Sequence, residues 1–362
     1  MESDLIHINE WLRPLSWLYG AAVWLRGLLF DQGLLQQTRF GRMVVCVGNI
    51  TVGGTGKTPH TEWLLAHLLP HYRVAMLSRG YRRQSRGFHI AEADTPMSVV
   101  GDEPWQMKHK FPDAIVAVDA NRRRGIRTLL SMPQTSDVDI IVLDDAYQHR
   151  YVKPDLNLLL TDYHRLVTDD CLLPAGRLRE PVSAMNRAHA VIVTKCPATL
   201  SPMDYRVLTE SLRLKPYQRL FFTTLTYGRL RPLFAETPGQ DEELTPQTHV
   251  LLLTGIASPR QMLADMQRQT RHIRPLTFAD HHPFSARDIE RIEEAFTAMQ
   301  GSKRLIVTTE KDAARLSQVH TMSTIVRRHI YVLPVGVTFL RHQEGEFLAM
   351  LHQAISEKGT RA

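Results

Sequence analysis

Between residues 43 and 194 the chain alternates short, continuous apolar runs with stretches of helical period. The runs are MVVCV (43–47), RVAML (73–77), IVAV (115–118), DIIVL (139–143), LNLLL (156–160) and AVIVT (190–194). Their apolar residues are consecutive, the pattern of parallel strands covered on both faces. Helical stretches between them make βαβ units and predict a doubly wound, mostly parallel sheet. RLFFTTLTYGRL (219–230) reads as a strand leaving this half, and the polar ETPGQDEELTP (236–246) as a junction. A second α/β set follows: HVLLLTG (249–255), a strand near 273–278, a helix at 285–299, RLIVTT (304–309), HIYVLPV (329–335) and a last helix over 343–357. The expected organisation is an N-terminal helical segment (1–40), a larger domain (41–222), linker strands (223–247) and a smaller α/β domain (248–362).

The N-terminal segment carries its own signal. LSWLYGAAVWL (15–25) is eleven residues without charge, too short for a bilayer span of about 20 residues. Glu2, Asp4 and Glu10 precede it, so it lacks the cationic start of a signal peptide. Trp11, Trp17, Tyr19 and Trp24 crowd this stretch, and such rings favour a membrane–water interface. Two readings stand side by side: a helix lying in a membrane face, and a helix packed on the core.

Composition narrows the class. The length, 362 residues, suits about two domains. With 43% hydrophobic and 22% charged residues, a disordered chain, a collagen-like fibre and a polytopic membrane protein are excluded. Lys plus Arg is 44 against 37 acids, a net charge of +7, which suits anionic partners. The three cysteines form no CxxC and fit a reducing compartment.

The sharpest motif is VGNITVGGTGKTP (47–59), between an apolar strand and a helix, the context of a P-loop. Thr51, Gly53, Gly54, Thr55 and Gly56 would present backbone N–H groups to phosphates. Lys57 would reach the outer phosphates and Thr58 would ligate Mg²⁺. Thr51 stands where the usual first Gly of GxxxxGK[ST] belongs, and Gly53 and Gly54 are candidates to supply the flexibility instead. DIIVLDDAYQHR (139–150) ends an apolar strand in Asp144 and Asp145, a Walker B pattern at the edge where ligands bind. Arginines cluster at Arg79, Arg82, Arg83 and Arg86 around Tyr81, at Arg122, Arg123, Arg124 and Arg127, and at Arg177 and Arg179 beside Glu180. They suit phosphate or a solvated face, and no nucleic-acid-binding motif accompanies them. VGDEP (100–104) places Asp102 and Glu103 on a loop, and FADHHPF (278–284) places Asp280, His281 and His282 at a strand end. A carboxylate and an imidazole can remove a proton from a hydroxyl, or each can be structural. No spaced ligands support zinc at the HH pair.

WLRGLLF, VGNITVGGTGKTP, LSRGY, VGDEP, LDDAYQHR, LPAGRLREP, FADHHPF and TTEKDAARL follow one another over nearly the whole chain. In that order they resemble the tetraacyldisaccharide 4'-kinase family, the lipid A 4'-kinases of Gram-negative bacteria. The resemblance implies a P-loop NTPase-like α/β fold with a second, smaller α/β domain and a membrane-associated N-terminal helix. It implies transfer of the γ-phosphate of ATP, with Mg²⁺, to the 4'-hydroxyl of the disaccharide 1-phosphate. The expected place is the cytoplasmic face of the inner membrane, and the expected state a monomer with no nucleic-acid partner. Carried over motif by motif, Asp102 matches the base, His281 the imidazole that supports it, and Lys57 the phosphate-loop lysine. Thr58, Asp144 and Glu180 match metal-side residues. Asn49, Arg79, Tyr81, Asp145, Gln148, His149 and Arg179 match the substrate site. Two departures are Ala146-Tyr147, where the family commonly has Gly-Phe, and Ala175, where it commonly has Pro.

Three rival readings exist. A P-loop GTPase or metal-insertion factor needs a guanine-reading [NT]KxD loop; VTKCP offers Thr194 and Lys195 but Pro197 in place of the Asp. A membrane-attached nucleotide sensor would bind nucleotide without phosphorylating an acceptor. A soluble small-molecule kinase would not need residues 11–30.

Overall fold

The computed structural model describes residues 8–237, 242–256, 259–319 and 321–360. Within them the chain forms two compact units, residues 1–225 with 337–362, and residues 226–336. Parts of the N-terminal segment (1–7) and of the expected junction (238–241) lie outside the described residues.

In the first unit helix α1 (Arg13–Asp31) precedes strand β1 (Met43–Gly48) and helix α2 (Lys57–Leu68). Then come β2 (Val74–Ser78), β3 (His89–Ala91), α3 (Met97–Val100), α4 (Asp102–Lys110), β4 (Ile115–Val118), α5 (Arg122–Ser131), β5 (Ile140–Asp144) and β6 (Leu156–Asp162). β7 (Ala190–Thr194), α6 (Pro202–Leu212) and β8 (Arg219–Tyr227) follow. The second unit holds β9 (Arg231–Pro232), β10 (Thr248–Thr254), α7 (Arg260–Gln267), β11 (Ile273–Thr277), α8 (Ala286–Thr297), β12 (Lys303–Thr309), α9 (Glu310–Leu316), α10 (Thr324–His329) and β13 (Ile330–Leu333). The chain closes with β14 (Val335–Phe339) and α11 (Glu344–Gly359).

Among the described residues the first sheet has nine strands in the order β14-β8-β7-β6-β1-β5-β2-β4-β3. β1 lies between β5 and β6, parallel to both. Every residue of β1 is buried because each face is covered. Met43, Val45 and Val47 pack with Leu64 and Leu65 of α2 and Phe347 of α11. Val44 and Cys46 pack with Ile126 and Leu129 of α5. β3, which the apolar pattern did not announce, is a short antiparallel edge strand on β4. The second sheet runs β11-β10-β12-β13-β9, parallel but for β9.

One expectation is corrected here. HIYVLPV was read as one strand, and everything beyond residue 248 as the smaller domain. Pro334 instead separates β13 from β14, since a proline lacks the N–H a central strand needs. β14 joins the first sheet, and α11 follows it, burying Phe347, Met350 and Leu351 in the first unit's core. β8 also belongs to that sheet, so the strand expected to leave it is part of it.

Candidate active site

The loop from Gly48 to Lys57 is held chiefly through its carbonyls, with the Val52 N–H also tied. Gly53 and Gly56 adopt φ of +112° and +81°, conformations that a residue with a Cβ avoids. Thr51 needs no such freedom. It is buried in an antiparallel bridge to Leu178, and its flanks are tied by Val52 N–H to the Arg177 carbonyl (2.8 Å) and Arg179 N–H to the Ile50 carbonyl (2.7 Å). Asn49, wholly buried, donates from Nδ2 to Thr55 Oγ1 (2.8 Å), and its carbonyl accepts from Gln148 Nε2 (2.7 Å).

Three braces hold the loop, two of them from the VTKCP segment that the sequence offered only as a guanine-reading loop. Lys195 Nζ donates to the Gly54 carbonyl and to Asp162 (2.6 Å). Thr194 donates to the Thr55 carbonyl (2.9 Å). His60 donates from Nδ1 to the Gly56 carbonyl (2.7 Å) and accepts at Nε2 from Thr223 (3.0 Å). Burial pushes the His60 pKa down to about 4, against the Gly56 bond, so the ring is neutral. Lys195 carried a signal, a lone cation at the end of an apolar strand; His60 carried none.

The acids converge on Lys57 and Thr58. Asp145, at a φ of +45°, lies 3.5 Å from Lys57 Nζ and 3.5 Å from Arg179 Nη1. Burial would raise its pKa, but Lys57, Arg179 and Arg122 outweigh that and hold it below the usual carboxylate value. Asp144 is pushed up to about 7, first by burial and then by Glu103 and Asp145, against Lys57 and the Thr61 hydroxyl. Buried Arg122 holds both carbonyls of this pair, donating from Nη2 to Asp144 (3.2 Å) and Asp145 (3.4 Å), so it is a brace and not a surface cation.

Asp102 and Glu103 open α4. The Thr58 hydroxyl faces Glu103 Oε1 at 3.4 Å, so Glu103, to which the sequence reading gave no role, stands at the P-loop threonine. Gly101 takes a φ of +92°, and a Cβ there would come within 2.8 Å of the Tyr81 carbonyl. This close approach sets Asp102 beside the segment bearing exposed Arg79 and Tyr81. Glu180 is placed differently from the metal role expected of it: it is buried and accepts from Arg187 (2.7 Å) and Gln148 (3.3 Å). His149 is held neutral, its pKa lowered to about 4 by burial and then by Arg122, Arg26 and Arg123, and its Nε2 is buried without a partner.

No group of three or more His, Cys, Asp or Glu forms a metal cage among the described residues. A phosphoryl-transfer Mg²⁺ does not need one, since one or two carboxylates, a hydroxyl and the phosphates suffice. Thr58, Glu103 and Asp144 offer that oxygen-only set, and the negative charge that raises Asp144 is what a dication neutralises.

α1 docks on the same loops. Ser16 donates to the Leu172 carbonyl (2.9 Å) and accepts the Ala175 N–H (2.9 Å). Tyr19 donates to the Arg179 carbonyl (2.9 Å) and Arg26 to the Gln148 carbonyl (3.1 Å). The departure at Ala175 thus has a use: a proline has no N–H to give Ser16. At the other departure, Tyr147 is buried and donates to the Ala184 carbonyl (2.8 Å). Away from these contacts Trp11, Trp17 and Trp24 are 93%, 73% and 61% exposed, with Leu15, Leu18 and Leu25 also exposed. No helix among the described residues is long and apolar enough to cross a membrane.

In the second unit His281 follows β11 at a φ of +58°, 3.9 Å from Asp280 and 3.1 Å from Arg315 Nη2. His282 instead pairs with Asp288 (3.0 Å) at the start of α8.

The profile of the family described as LpxK, tetraacyldisaccharide-1-P 4'-kinase, matches residues 8–356. The tetraacyldisaccharide 4'-kinase of Phocaeicola vulgatus is 52% identical over 348 residues, 96% of this chain and 95% of that one. That of Bacteroides thetaiotaomicron is 49% identical over 355 residues, 96% and 93% of the two chains. The crystal structure of LpxK from Aquifex aeolicus in complex with ATP superposes with a TM-score of 0.69 at 24% identity, covering 96% of this chain and 99% of that one, a likeness of fold.

Proposed function

The chain belongs to the tetraacyldisaccharide-1-P 4'-kinase family, lipid kinases that phosphorylate the 4'-hydroxyl with ATP in lipid A biosynthesis, and from that premise we propose which of its residues carry the transfer. The P-loop N–H groups and Lys57 hold the β- and γ-phosphates. Thr58, Glu103 and Asp144 would hold Mg²⁺, which when bound would neutralise charge on those phosphates. Asp102 takes the proton from the 4'-hydroxyl. The freed oxygen bonds to the γ-phosphorus, the bond from that phosphorus to the β–γ bridging oxygen breaks, and ADP leaves. His281 supports this proton removal. Asp145, held between Lys57 and Arg179, sets both cations toward phosphate, and Arg79, Tyr81, Gln148 and His149 contact the head group. The exposed rings of α1 rest on the cytoplasmic face of the inner membrane, with the acyl chains left in the bilayer.

One observation carries this reading. The first turn of α4 faces Thr58 through Glu103 and carries Asp102 beside it, so base, cation ligand and phosphate loop share one neighbourhood. The test is transfer from γ-labelled ATP to detergent-dispersed tetraacyldisaccharide 1-phosphate. The wild type is expected to label the lipid, and Asp102→Ala to lose about 10²-fold or more in kcat. Full activity in that variant, with no transfer by Lys57→Ala, removes Asp102 from its role and leaves the kinase standing.

A further inference from the structure

The motif TTEKDAARL has no part in the proposal above, yet it surrounds His281. In the second unit β10 lies between β11, which follows it in the chain, and β12. The winding therefore reverses at β10, and ligands of open α/β sheets bind outside the strand ends at such a point. Three segments at the carboxyl ends of β10, β11 and β12 are tied together there. Asp312 is fully buried; its Oδ2 accepts from Gly255 N–H (2.8 Å) and the Thr309 hydroxyl (2.8 Å), and its Oδ1 from Arg315 Nη1 (3.0 Å). A Cβ on Gly255 would stand 2.9 Å from Asp312 Oδ1, so the approach uses the absence of a side chain. Arg315, also buried, turns its Nη2 to His281 Nδ1 at 3.1 Å.

The chemistry of that last contact is one-directional. A guanidinium has five donors and no acceptor, so Nδ1 of His281 supplies the lone pair. The hydrogen of the neutral ring then sits on Nε2, because the partner of one ring nitrogen decides the state of the other. We infer that Arg315, locked by Asp312, is a positioning residue that fixes the tautomer of His281, and that His281 serves the transfer as an Nε2–H donor and not as the acceptor of the hydroxyl proton. This rests on the reading that His281 takes part in the reaction. With Arg315 on Nδ1 and hydrogen on Nε2, the ring has no lone pair to receive that proton. The proton passes to the Asp102 carboxylate as the oxygen–phosphorus bond forms and the bond to ADP breaks.

Two measurements on the full chain test it. Ring-nitrogen NMR of the ¹⁵N-histidine-labelled protein, with the His281 signal assigned from its loss in His281→Gln, is expected to show a protonated Nε2 and a bare Nδ1. Arg315→Met should shift that signal toward a tautomer mixture, and Arg315→Lys, which keeps a donor and a charge for Asp312, should restore the wild-type pattern. In kinetics His281→Ala is expected to lose about 10²-fold in kcat. His281→Gln, whose amide NH₂ keeps a donor near the place of Nε2, should recover at least about a tenth of the wild-type rate. An Nδ1–H signature in the wild type, or His281→Gln as slow as His281→Ala, overturns the inference while His281 keeps a role. Unchanged kcat in His281→Ala overturns the underlying reading and the inference with it.

Discussion

Asp144→Asn should stabilise the nucleotide-free protein above neutral pH while abolishing its activity. Asp144 is buried, accepts from the Thr61 hydroxyl at 3.2 Å, and faces Glu103 and Asp145. Its pKa rises from 3.8 to about 7. For an acid this is the destabilising direction. Between those two values the unfolded chain has already released the proton that the native state keeps, so stability falls as pH rises through the window. It is fully present below about pH 4 and lost by about pH 7, and the difference is worth at most about 4 kcal/mol. Asparagine never ionises, and its amide can donate to the neighbouring carboxylates, so roughly half of that, about 2 kcal/mol, is the expected gain at pH 8. In a chain of this size it raises Tm by a few degrees. The assay is thermal unfolding of both proteins from pH 4.5 to 8.5, without and with MgATP. The curves should meet near pH 4.5 and separate above pH 6, and MgATP should raise Tm more in the wild type. A constant offset across pH, or an Asp144→Asn protein no more stable at pH 8, refutes the account of Asp144 as a carboxylate held against repulsion.

Replacing Trp11, Trp17 and Trp24 with Ser should abolish binding to anionic vesicles. Their exposed rings present about 450 Å², and burying half of that gives ~5 kcal/mol. Sedimentation with vesicles checks this, and retained binding would remove α1 as the docking element. Glu103→Gln should raise the Mg²⁺ concentration for half-maximal rate by about 10-fold or more, whereas Glu180→Gln should leave it nearly unchanged; a Mg²⁺ titration of kcat separates the two. Gly176→Ala should destabilise the loop before Arg177 by about 1–3 kcal/mol or more, because a Cβ would overlap the Cys171 carbonyl and Asp170 Oδ1; a Tm equal to the wild type would show that the backbone can yield there.

What could be read from the sequence followed from how each feature is encoded. Strands buried on both faces are continuous apolar runs, so β1, β2 and β4 to β7 stood out, while β3, short and half-buried, did not. The P-loop and the acid pair were legible because phosphate binding needs glycines and a lysine in order along one segment. Glu103 was quoted but not given work, since its partner Thr58 is 45 residues away in the chain and only the fold shows the two together. Lys195 entered only as part of a guanine-reading loop and His60 not at all: both act on carbonyls, and backbone acceptors leave no mark in a sequence. The placement of β14 and α11 was missed because an apolar run states that it is buried without stating in which core.

The N-terminal helix shows why its two sequence readings were not alternatives. A helix packed only on a core buries one stripe and leaves polar residues outside. Here Ser16, Tyr19 and Arg26 bind backbone of the segments 172–179 and 148, and Phe30, packed on Tyr151, is the one apolar side chain of the helix that is buried. Polar contacts of that kind fix position with little apolar surface, which frees the tryptophans and leucines for the opposite side. A contiguous exposed apolar surface on a folded protein marks a place of contact. Because Tyr19 holds the carbonyl of Arg179, and Arg179 lies against Asp145, whatever seats α1 also sets the height of the arginine proposed to face phosphate. Shifting the helix by loss of the Tyr19 hydroxyl should therefore change the affinity for the lipid acceptor before it changes that for ATP.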